Sequence, residues 1–258
     1  MYPALSCAEL YGNCIQYYNA GGAILSKAIF WDFDGTIIHP NESFFNALLT
    51  ALKKQKYEIP TEQIRALLQS VCSWYTPEIA YPDQVGQQWW SALFKKFNLF
   101  YAAYGIAEAD RQKINADFKR QILDVHSYTL YSDAISVLTL CIEKGYRNYI
   151  LSNNYPELPS IIEDLGLSAF FTDYIISSNI GYEKPRIELF QYALRIAAYP
   201  DICYMIGDNL IADIQGGKDA GMRTILVHRD GHSDAGCRCE TLSEIPPLLE
   251  PAAPAGGK

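Results

Sequence analysis

Two aspartates separated by a single residue form the part of this sequence best suited to chemistry. Asp32 and Asp34 directly follow the apolar residues 28–31 and are followed by Gly35 and Thr36. Paired carboxylates can act as a nucleophile and a proton donor, or as ligands of a hard cation such as Mg2+. Glycine permits a sharp backbone turn, and the threonine hydroxyl can hold an oxyanion. Taken alone, the same residues could also form a calcium-binding loop or a surface turn.

The apolar residues before Asp32 predict a buried strand of a parallel sheet, because such a strand is covered on both faces and reads as a continuous apolar run. Ligands of open α/β sheets bind just beyond the carboxyl ends of the strands. The two carboxylates therefore lie where a site is expected.

The region between residues 41 and 127 shows no strand-like alternation of apolar and polar residues. Apolar residues recur there at helical spacing instead, as Phe44, Leu48 and Leu52 illustrate. We interpret residues 41–127 as an all-helical cap inserted after the first strand. The α/β core would then comprise residues 27–40 and 128–245.

After residue 131 the pattern changes to alternating helices and strands. We predict strands at 149–151, 174–176, 203–206 and 224–227, and helices at 134–144, 158–165, 187–198 and 211–220. Such alternation indicates an α/β fold with a parallel sheet and helices on both faces. Residues 1–26 would be an N-terminal extension, and residues 246–258, rich in Pro, Ala and Gly, a flexible tail.

Polar side chains follow the later strands in the same way as they follow the first. Ser152 and Asn153 can hydrogen-bond to an anion, and Asp208 and Asp213 add two more carboxylates. Lys184 precedes a proline, a residue suited to the first turn of a helix, which would hold the ammonium near the start of that helix. Each feature alone is common in surface turns, but four in this order are difficult to attribute to chance.

The order of the four motifs, D-x-D-G-T, S-N, K-P and G-D-x4-D, resembles the haloacid dehalogenase-like (HAD) hydrolase superfamily. The resemblance covers about residues 27–227 and implies a Rossmann-like core with a helical cap after the first motif. It further implies a Mg2+-dependent phosphatase that hydrolyses a small phosphorylated metabolite through an aspartyl-phosphate. Sugar phosphates, phosphoglycolate and nucleoside monophosphates are the substrate types that it suggests.

The resemblance also implies a role for each motif residue. Asp32 would be the nucleophile, Asp34 the general acid and base, and Lys184 the group that neutralises charge. The groups that bind the phosphoryl oxygens would be Thr36, Ser152 and Asn153. The ligands of Mg2+ would be Asp32, Asp34 through its carbonyl, Asp208 and Asp213.

Other activities on the same fold stay open. True dehalogenases of this superfamily lack the second aspartate, so Asp34 favours a phosphatase. A β-phosphoglucomutase-like phosphotransferase and a noncatalytic phosphometabolite-binding protein are the alternatives. His39, Asn41 and Glu42 are the nearest candidates for substrate contact, and Asn154 could contact the substrate or cap a helix.

Composition limits the partners and the compartment. The formal net charge of -8 argues against binding to nucleic acid or to an anionic membrane surface. No apolar stretch approaches the roughly 18 residues of a membrane span, and no signal peptide is recognisable. The seven cysteines show no C-x-x-C pair, which favours reduced thiols. We therefore expect a cytoplasmic monomer or homodimer.

Overall fold

The computed structural model describes residues 25–229 and 237–249. The expected N-terminal extension and the expected C-terminal tail lie almost entirely outside these ranges. Within the described residues, no helix combines the length and the apolar character needed to cross a membrane.

Six parallel strands of the described residues form one sheet. They are β1 (Lys27–Trp31), β2 (Arg147–Ser152), β3 (Asp173–Ile176), β4 (Ile202–Gly207), β5 (Arg223–Val227) and β6 (Cys237–Cys239). Their order across the sheet is β3-β2-β1-β4-β5-β6, so β1 is central, between β2 and β4. The predicted parallel sheet is thus confirmed. The edge strand β6 was not predicted.

Ten α-helices of the described residues surround the sheet. Four follow β1: α1 (Ser43–Lys54), α2 (Thr61–Val71), α3 (Gln87–Ala103) and α4 (Glu108–Ile122). The other six are α5 (Ala134–Glu143), α6 (Leu158–Asp164), α7 (Ser177–Ile180), α8 (Ile187–Ile196), α9 (Gly216–Asp219) and α10 (Ile245–Leu248). Residues 41–127, which we call the helical insertion, contain no strand.

Two details of the predicted helices differ in the structure, although helix α8 starts at Ile187 as predicted. Pro185 precedes that helix instead of occupying its first turn, and Lys184 lies in the loop before it. The single helix expected over residues 211–220 is a π-helical segment, Leu210–Gln215, followed by α9. The side chain of Asn209 caps that segment by accepting hydrogen bonds from the backbone N–H groups of Ile211 and Ala212.

Helices cover both faces of the sheet because the side chains of β1 alternate between two apolar clusters. Ile29 and Trp31 pack in the cluster that also contains α5 and α6. Ala28 and Phe30 pack in the cluster that contains α8. All four side chains are fully buried. Burial of a side chain as large as Phe30 contributes roughly 1.5–3 kcal/mol to folding, so β1 is held firmly.

The helical insertion packs on the same side of the sheet as α5 and α6. Its aromatic side chains belong to one apolar cluster with the core. The ring of Phe44 lies 5.3 Å from Phe118, also of the insertion, and 6.3 Å from Tyr155 of the core. Arg65 of α2 forms an ion pair at 2.8 Å with Glu42, the residue before α1. The insertion is therefore fixed against the carboxyl ends of β1 and β2.

Candidate active site

The carboxyl ends of three neighbouring strands bring the first polar groups together. Asp32 follows β1, Ser152 ends β2, and Asp208 follows β4. The backbone N–H of Asp32 donates to the carbonyl of Ile206 at 2.9 Å, which extends the ladder between β1 and β4 by one residue. The Ser152 hydroxyl donates to Oδ1 of Asp32 at 2.9 Å. The polar residues after separate strands thus meet at one edge, as their positions predicted.

Lys184 lies between two of the aspartates. Its Nζ is 3.0 Å from Oδ1 of Asp32 and 2.5 Å from Oδ1 of Asp213, and its side chain is almost fully buried. Burial lowers the pKa of Lys184, but the carboxylates of Asp213 and Asp32 outweigh that effect and raise it above its ordinary value. The ammonium form is therefore the stable form, and it offsets the charge of both aspartates.

The side chain of Asn153 holds the backbone of Lys184. Its Nδ2 donates to the Lys184 carbonyl at 3.0 Å, and its Oδ1 accepts from the Lys184 N–H at 2.7 Å. Asn153 also lines the cavity beside the aspartates. Asn153, directly after β2, thereby fixes the position of the Lys184 backbone.

Three carboxylates could hold a metal ion. Among the described residues, one oxygen each of Asp32, Asp208 and Asp213 lies within 4.8 Å of the others. Oxygen-only donor sets of this kind fit hard cations such as Mg2+. Gly35, with a φ of +76°, permits the close approach of Asp208, because a Cβ there would lie 2.5 Å from Asp208 Oδ2. The glycine in the turn after Asp32 and Asp34 thus leaves room for the Asp208 carboxylate.

Asp34 and Asp213 are the two aspartates of the site whose pKa lies near neutrality. Desolvation by burial, followed by the charge of Asp32, raises the pKa of Asp34 to about 7, although a hydrogen bond from Asn154 acts in the opposite direction. That bond runs from Nδ2 of Asn154 to Oδ2 of Asp34 at 2.6 Å. Asp34 can therefore carry a proton near neutral pH, and Asn154 fixes its orientation.

The remaining sequence candidates lie at different distances from this cluster. Thr36 is fully buried, does not line the cavity, and its hydroxyl has no partner among the described residues. His39 also lies outside the cavity lining and packs against the ring of Tyr131, with ring centroids 3.9 Å apart. Asn41 and Glu42 do line the cavity.

The aspartates open into a cavity of about 530 Å³ that the core and the helical insertion share. The core contributes Asp32, Asp34, Ser152, Lys184 and Asp208, together with the amide side chains beside them. The insertion contributes an aromatic and mixed-charge surface that includes Phe44, Phe45, Trp74, Tyr75, Arg65 and Glu42. The reacting groups of the cavity and most of its aromatic lining therefore come from different parts of the chain.

Arg229 is a site residue that the sequence did not reveal. Its Nη2 donates to Oδ2 of Asp208 at 2.6 Å, and its Nε donates to the Asp208 carbonyl at 3.2 Å. The preceding residue, His228, has a φ of +57°, and its ring stacks on Tyr131 with centroids 3.8 Å apart. Arg229 lies outside every motif, so no spacing signal identified it. For Asn154, the neighbouring S-N motif was the only signal.

The family model described as haloacid dehalogenase-like hydrolase matches residues 26–221. The glyceraldehyde 3-phosphate phosphatase of Methanothermobacter thermautotrophicus is 34% identical over 39% of this chain and 45% of its own length. The phosphoserine phosphatase of Thermus thermophilus is 31% identical over 49% of this chain and 50% of its own length. The matches thus span about half the length of these two curated relatives.

A solved structure of a relative has the same fold. The crystal structure of the HAD-hydrolase YfnB of Bacillus subtilis, bound to magnesium, matches with a TM-score of 0.64 and 23% identity. The match covers 87% of this chain and 99% of that chain. At this identity the likeness concerns the fold alone.

Proposed function

This chain belongs to the haloacid dehalogenase-like hydrolase family, and from that membership and the geometry of its site we propose that it is a Mg2+-dependent phosphatase. Its substrate would be a small phosphorylated metabolite, and the reaction would pass through an aspartyl-phosphate on Asp32. The observation that carries the proposal is the position of Lys184 and Ser152, which both contact Oδ1 of Asp32 beside two further carboxylates.

Asp32 is the proposed nucleophile. Because Ser152 and Lys184 both contact Oδ1, Oδ2 is the oxygen that would attack phosphorus, forming an O–P bond while the bond to the leaving oxygen breaks. Lys184 would offset the charge of the attacking carboxylate and of the transferring group. Phosphoryl transfer depends mainly on such positioning and charge neutralisation.

Asp34 is the proposed general acid and base. With a pKa of about 7 it can donate a proton to the leaving oxygen and then accept one from the water that hydrolyses the aspartyl-phosphate. Asn154 would keep the Asp34 carboxyl aligned in both steps.

The proposed Mg2+ ligands are Asp32, the Asp34 carbonyl, Asp208 and Asp213. The carboxylates of Asp32, Asp208 and Asp213 form the cluster described above, and their oxygens suit Mg2+. A bound Mg2+ would neutralise the negative charge shared by the phosphate and the aspartates. The magnesium bound to the structural relative supports this assignment.

Ser152 and Asn153 are the proposed contacts of the phosphoryl oxygens. Both line the cavity beside the aspartates, and both also hold catalytic groups, Ser152 through Asp32 and Asn153 through the Lys184 backbone. The expected contact of Thr36 has no geometric support, because that side chain is buried outside the cavity lining.

The helical insertion is the proposed cap, residues 41–127, over a core of residues 27–40 and 128–245. It supplies most of the aromatic lining of the cavity and would exclude water from the reacting groups. The two curated relatives act, by name, on glyceraldehyde 3-phosphate and phosphoserine. Sugar phosphates, phosphoglycolate and nucleoside monophosphates are the further substrate types that we propose to test.

Five cysteines lie within the described residues, and all are unpaired thiols. This agrees with the proposal that the protein works in the cytoplasm, where thiols stay reduced. A monomer or a homodimer is the proposed assembly.

The test is phosphate release from a panel of phosphorylated metabolites, with and without EDTA. We expect release that requires Mg2+ and that is lost in Asp32→Asn, which keeps the size of the side chain and removes the nucleophile. Asp164→Asn, an exposed aspartate at the end of α6, is the matched control and should retain full activity. Activity that survives in Asp32→Asn would exclude the proposed nucleophile.

The same panel separates the two alternatives. Transfer of the phosphoryl group to a sugar hydroxyl, in place of water, would indicate the β-phosphoglucomutase-like phosphotransferase. Specific binding of one compound with no turnover would indicate the noncatalytic phosphometabolite-binding protein.

A further inference from the structure

A buried carboxylate beside the site has no part in the proposed chemistry. Glu183 immediately precedes Lys184, yet its side chain contacts the helical insertion and not the aspartate cluster. Its Oε1 accepts hydrogen bonds from the hydroxyls of Ser73 and Tyr81, both of which belong to the insertion. Two neighbouring residues thus connect different parts of the molecule: Lys184 holds the catalytic carboxylates, and Glu183 holds the insertion.

The environment of Glu183 makes these two hydrogen bonds important. The residue is fully buried, and its Oε2 has no hydrogen-bond partner among the described residues. No cationic side chain of the described residues lies within ion-pair distance, since Lys184 is directed to Asp32 and Asp213. Burial of a carboxyl group is costly unless it is hydrogen-bonded. The hydrogen bonds from Ser73 and Tyr81 therefore offset part of the cost of burying this carboxyl group.

Ser73 and Tyr81 lie in the segment between α2 and α3, residues 72–86, which we call the connecting segment. Trp74, Tyr75 and Pro77 of this segment line the cavity. The ring of Trp74 also packs edge-on against Phe44, with centroids 4.9 Å apart. Any displacement of the connecting segment would therefore move part of the aromatic lining of the cavity.

Further hydrogen bonds join the connecting segment to the core residues that precede Glu183. The Tyr81 N–H donates to the Gly181 carbonyl at 2.8 Å, and the Gly86 N–H donates to the Ser178 carbonyl at 2.9 Å. Glu183 adds a side-chain acceptor to these backbone contacts.

We propose that Glu183 is a positioning residue for substrate binding, which holds the connecting segment so that Trp74 and Tyr75 form the surface that the substrate's leaving group contacts. Because Glu183 and Lys184 are adjacent, this surface is held at a fixed distance from the catalytic aspartates. The kinetic consequence rests on the proposed phosphatase function, whereas the structural consequence does not.

The kinetic test compares Glu183→Ala with Glu183→Gln on two phosphoryl donors. p-Nitrophenyl phosphate has an aromatic leaving group that would reach the connecting segment, and acetyl phosphate does not. In Glu183→Ala the hydroxyls of Ser73 and Tyr81 lose their acceptor, so the connecting segment is no longer held in place. We therefore expect KM for p-nitrophenyl phosphate to rise about tenfold. The kcat/KM of this variant for acetyl phosphate should stay within about twofold of the wild-type value. Glu183→Gln retains an acceptor oxygen and should behave as the wild type does on both donors.

The structural test is hydrogen–deuterium exchange of the Tyr81 and Gly86 amides. Exchange should be faster in Glu183→Ala and unchanged in Glu183→Gln. Ser73→Ala, which removes one of the two donors, should accelerate exchange to a smaller extent and serves if Glu183→Ala fails to fold. Glu157→Ala is the matched control: Glu157 also joins the insertion to the core, through Trp90 and Lys119, but lies outside the cavity lining.

The outcomes separate the two proposals. Equal losses on both donors in Glu183→Ala, or exchange at the wild-type rate in that variant, would overturn the role of Glu183. If the wild type turned over neither donor, the proposed function would be overturned. The exchange data alone would then decide the role of Glu183.

Discussion

At the scale of single residues, Lys184 is surrounded by negative charge. Its ammonium contacts Asp32 and Asp213. Lys184 and Asp213 are almost completely buried and Asp32 is partly buried, so each charge in the cluster depends on the others. Removing one partner from a buried pair leaves the other charge uncompensated, which costs more than the pair contributes.

Lys184→Met should therefore reduce both stability and activity. We expect the free energy of unfolding to fall by about 3–5 kcal/mol, because the Asp213 carboxylate would stay buried without its cation. Urea unfolding measures the stability, and phosphate release measures the activity. Lys95→Met, at an exposed position on α3, is the control. A Lys184→Met protein as stable as this control would contradict the described ion pairs.

Arg229 acts on the proposed metal site through Asp208. Its two hydrogen bonds fix both the carbonyl and the carboxylate of that residue. Groups that orient metal ligands in this way typically contribute 10- to 100-fold to metal affinity. Arg229→Gln should therefore raise the dissociation constant for Mg2+ about tenfold.

Calorimetric titration with Mg2+ in the absence of substrate measures this effect directly. Arg120→Gln is a suitable control, because Arg120 is exposed and pairs with Asp117 on the surface of α4. Tighter Mg2+ binding in Arg229→Gln would mean that the arginine competes with the metal and does not position its ligand.

The charge of Glu183 makes stability depend on pH. Burial raises its pKa above the ordinary value of 4.5, although the hydroxyls of Ser73 and Tyr81 act in the opposite direction. The native state therefore retains the proton at pH values where the unfolded chain has lost it. The stabilisation is complete below about pH 4.5 and is lost as the pH rises through the native pKa.

Glu183→Gln removes this titration, so its stability relative to the wild type should increase between pH 4.5 and 8. Each unit by which the native pKa is raised corresponds to about 1.4 kcal/mol. Urea unfolding at several pH values checks the trend, with Glu163→Gln, an exposed residue of α6, as the control. A difference between Glu183→Gln and wild type that does not vary with pH would contradict it.

At the scale of elements, the short helix α7 ends against the connecting segment. Gly181 follows α7 with a φ of +93°, and a Cβ at this position would lie 2.5 Å from the Cα of Pro82. Gly166, which follows α6, has a φ of +75° but no atom within 4 Å of its Cβ position. Both positions require the left-handed backbone conformation that glycine adopts readily. Only at Gly181 would a side chain also collide with a neighbouring residue.

The two alanine variants separate these effects. Gly166→Ala should cost roughly 1–2 kcal/mol, the strain of a left-handed conformation. Gly181→Ala should cost more, because the backbone of Pro82 must also move. Thermal unfolding of both variants measures the difference. Equal losses would show that the contact between α7 and the connecting segment adds nothing to stability.

Sequence periodicity predicted the elements well because it reports burial. The apolar residues of β1 and the amphipathic pattern of α1 each reflect a packed face, and both elements occur where they were expected. Strand β6 escaped prediction because its three residues, Cys-Arg-Cys, lie at the sheet edge and carry too little pattern. The placement of Pro185 in the first turn of α8 was wrong. A proline two residues before a helix gives the same local sequence signal as a proline in its first turn.

At the scale of the whole molecule, the parts of the site that could be predicted are those that follow strands. Asp32, Ser152 and Asp208 are brought together by parallel pairing alone. The contacts of Arg229 and Glu183 depend on how the chain returns to the site after leaving the sheet. No local pattern encodes that path, so these two residues became apparent only in three dimensions.

The division of the cavity has a consequence for how its specificity can change. One uninterrupted stretch of sequence supplies most of the aromatic lining, while the reacting groups are spread along the rest of the chain. Exchange of that stretch between relatives could retarget the enzyme in a single step and leave the reacting groups intact. Such a graft would succeed only if the donor stretch also brought hydroxyls able to meet Glu183, as Ser73 and Tyr81 do. Compatibility at this buried contact would then limit which chimeras are viable.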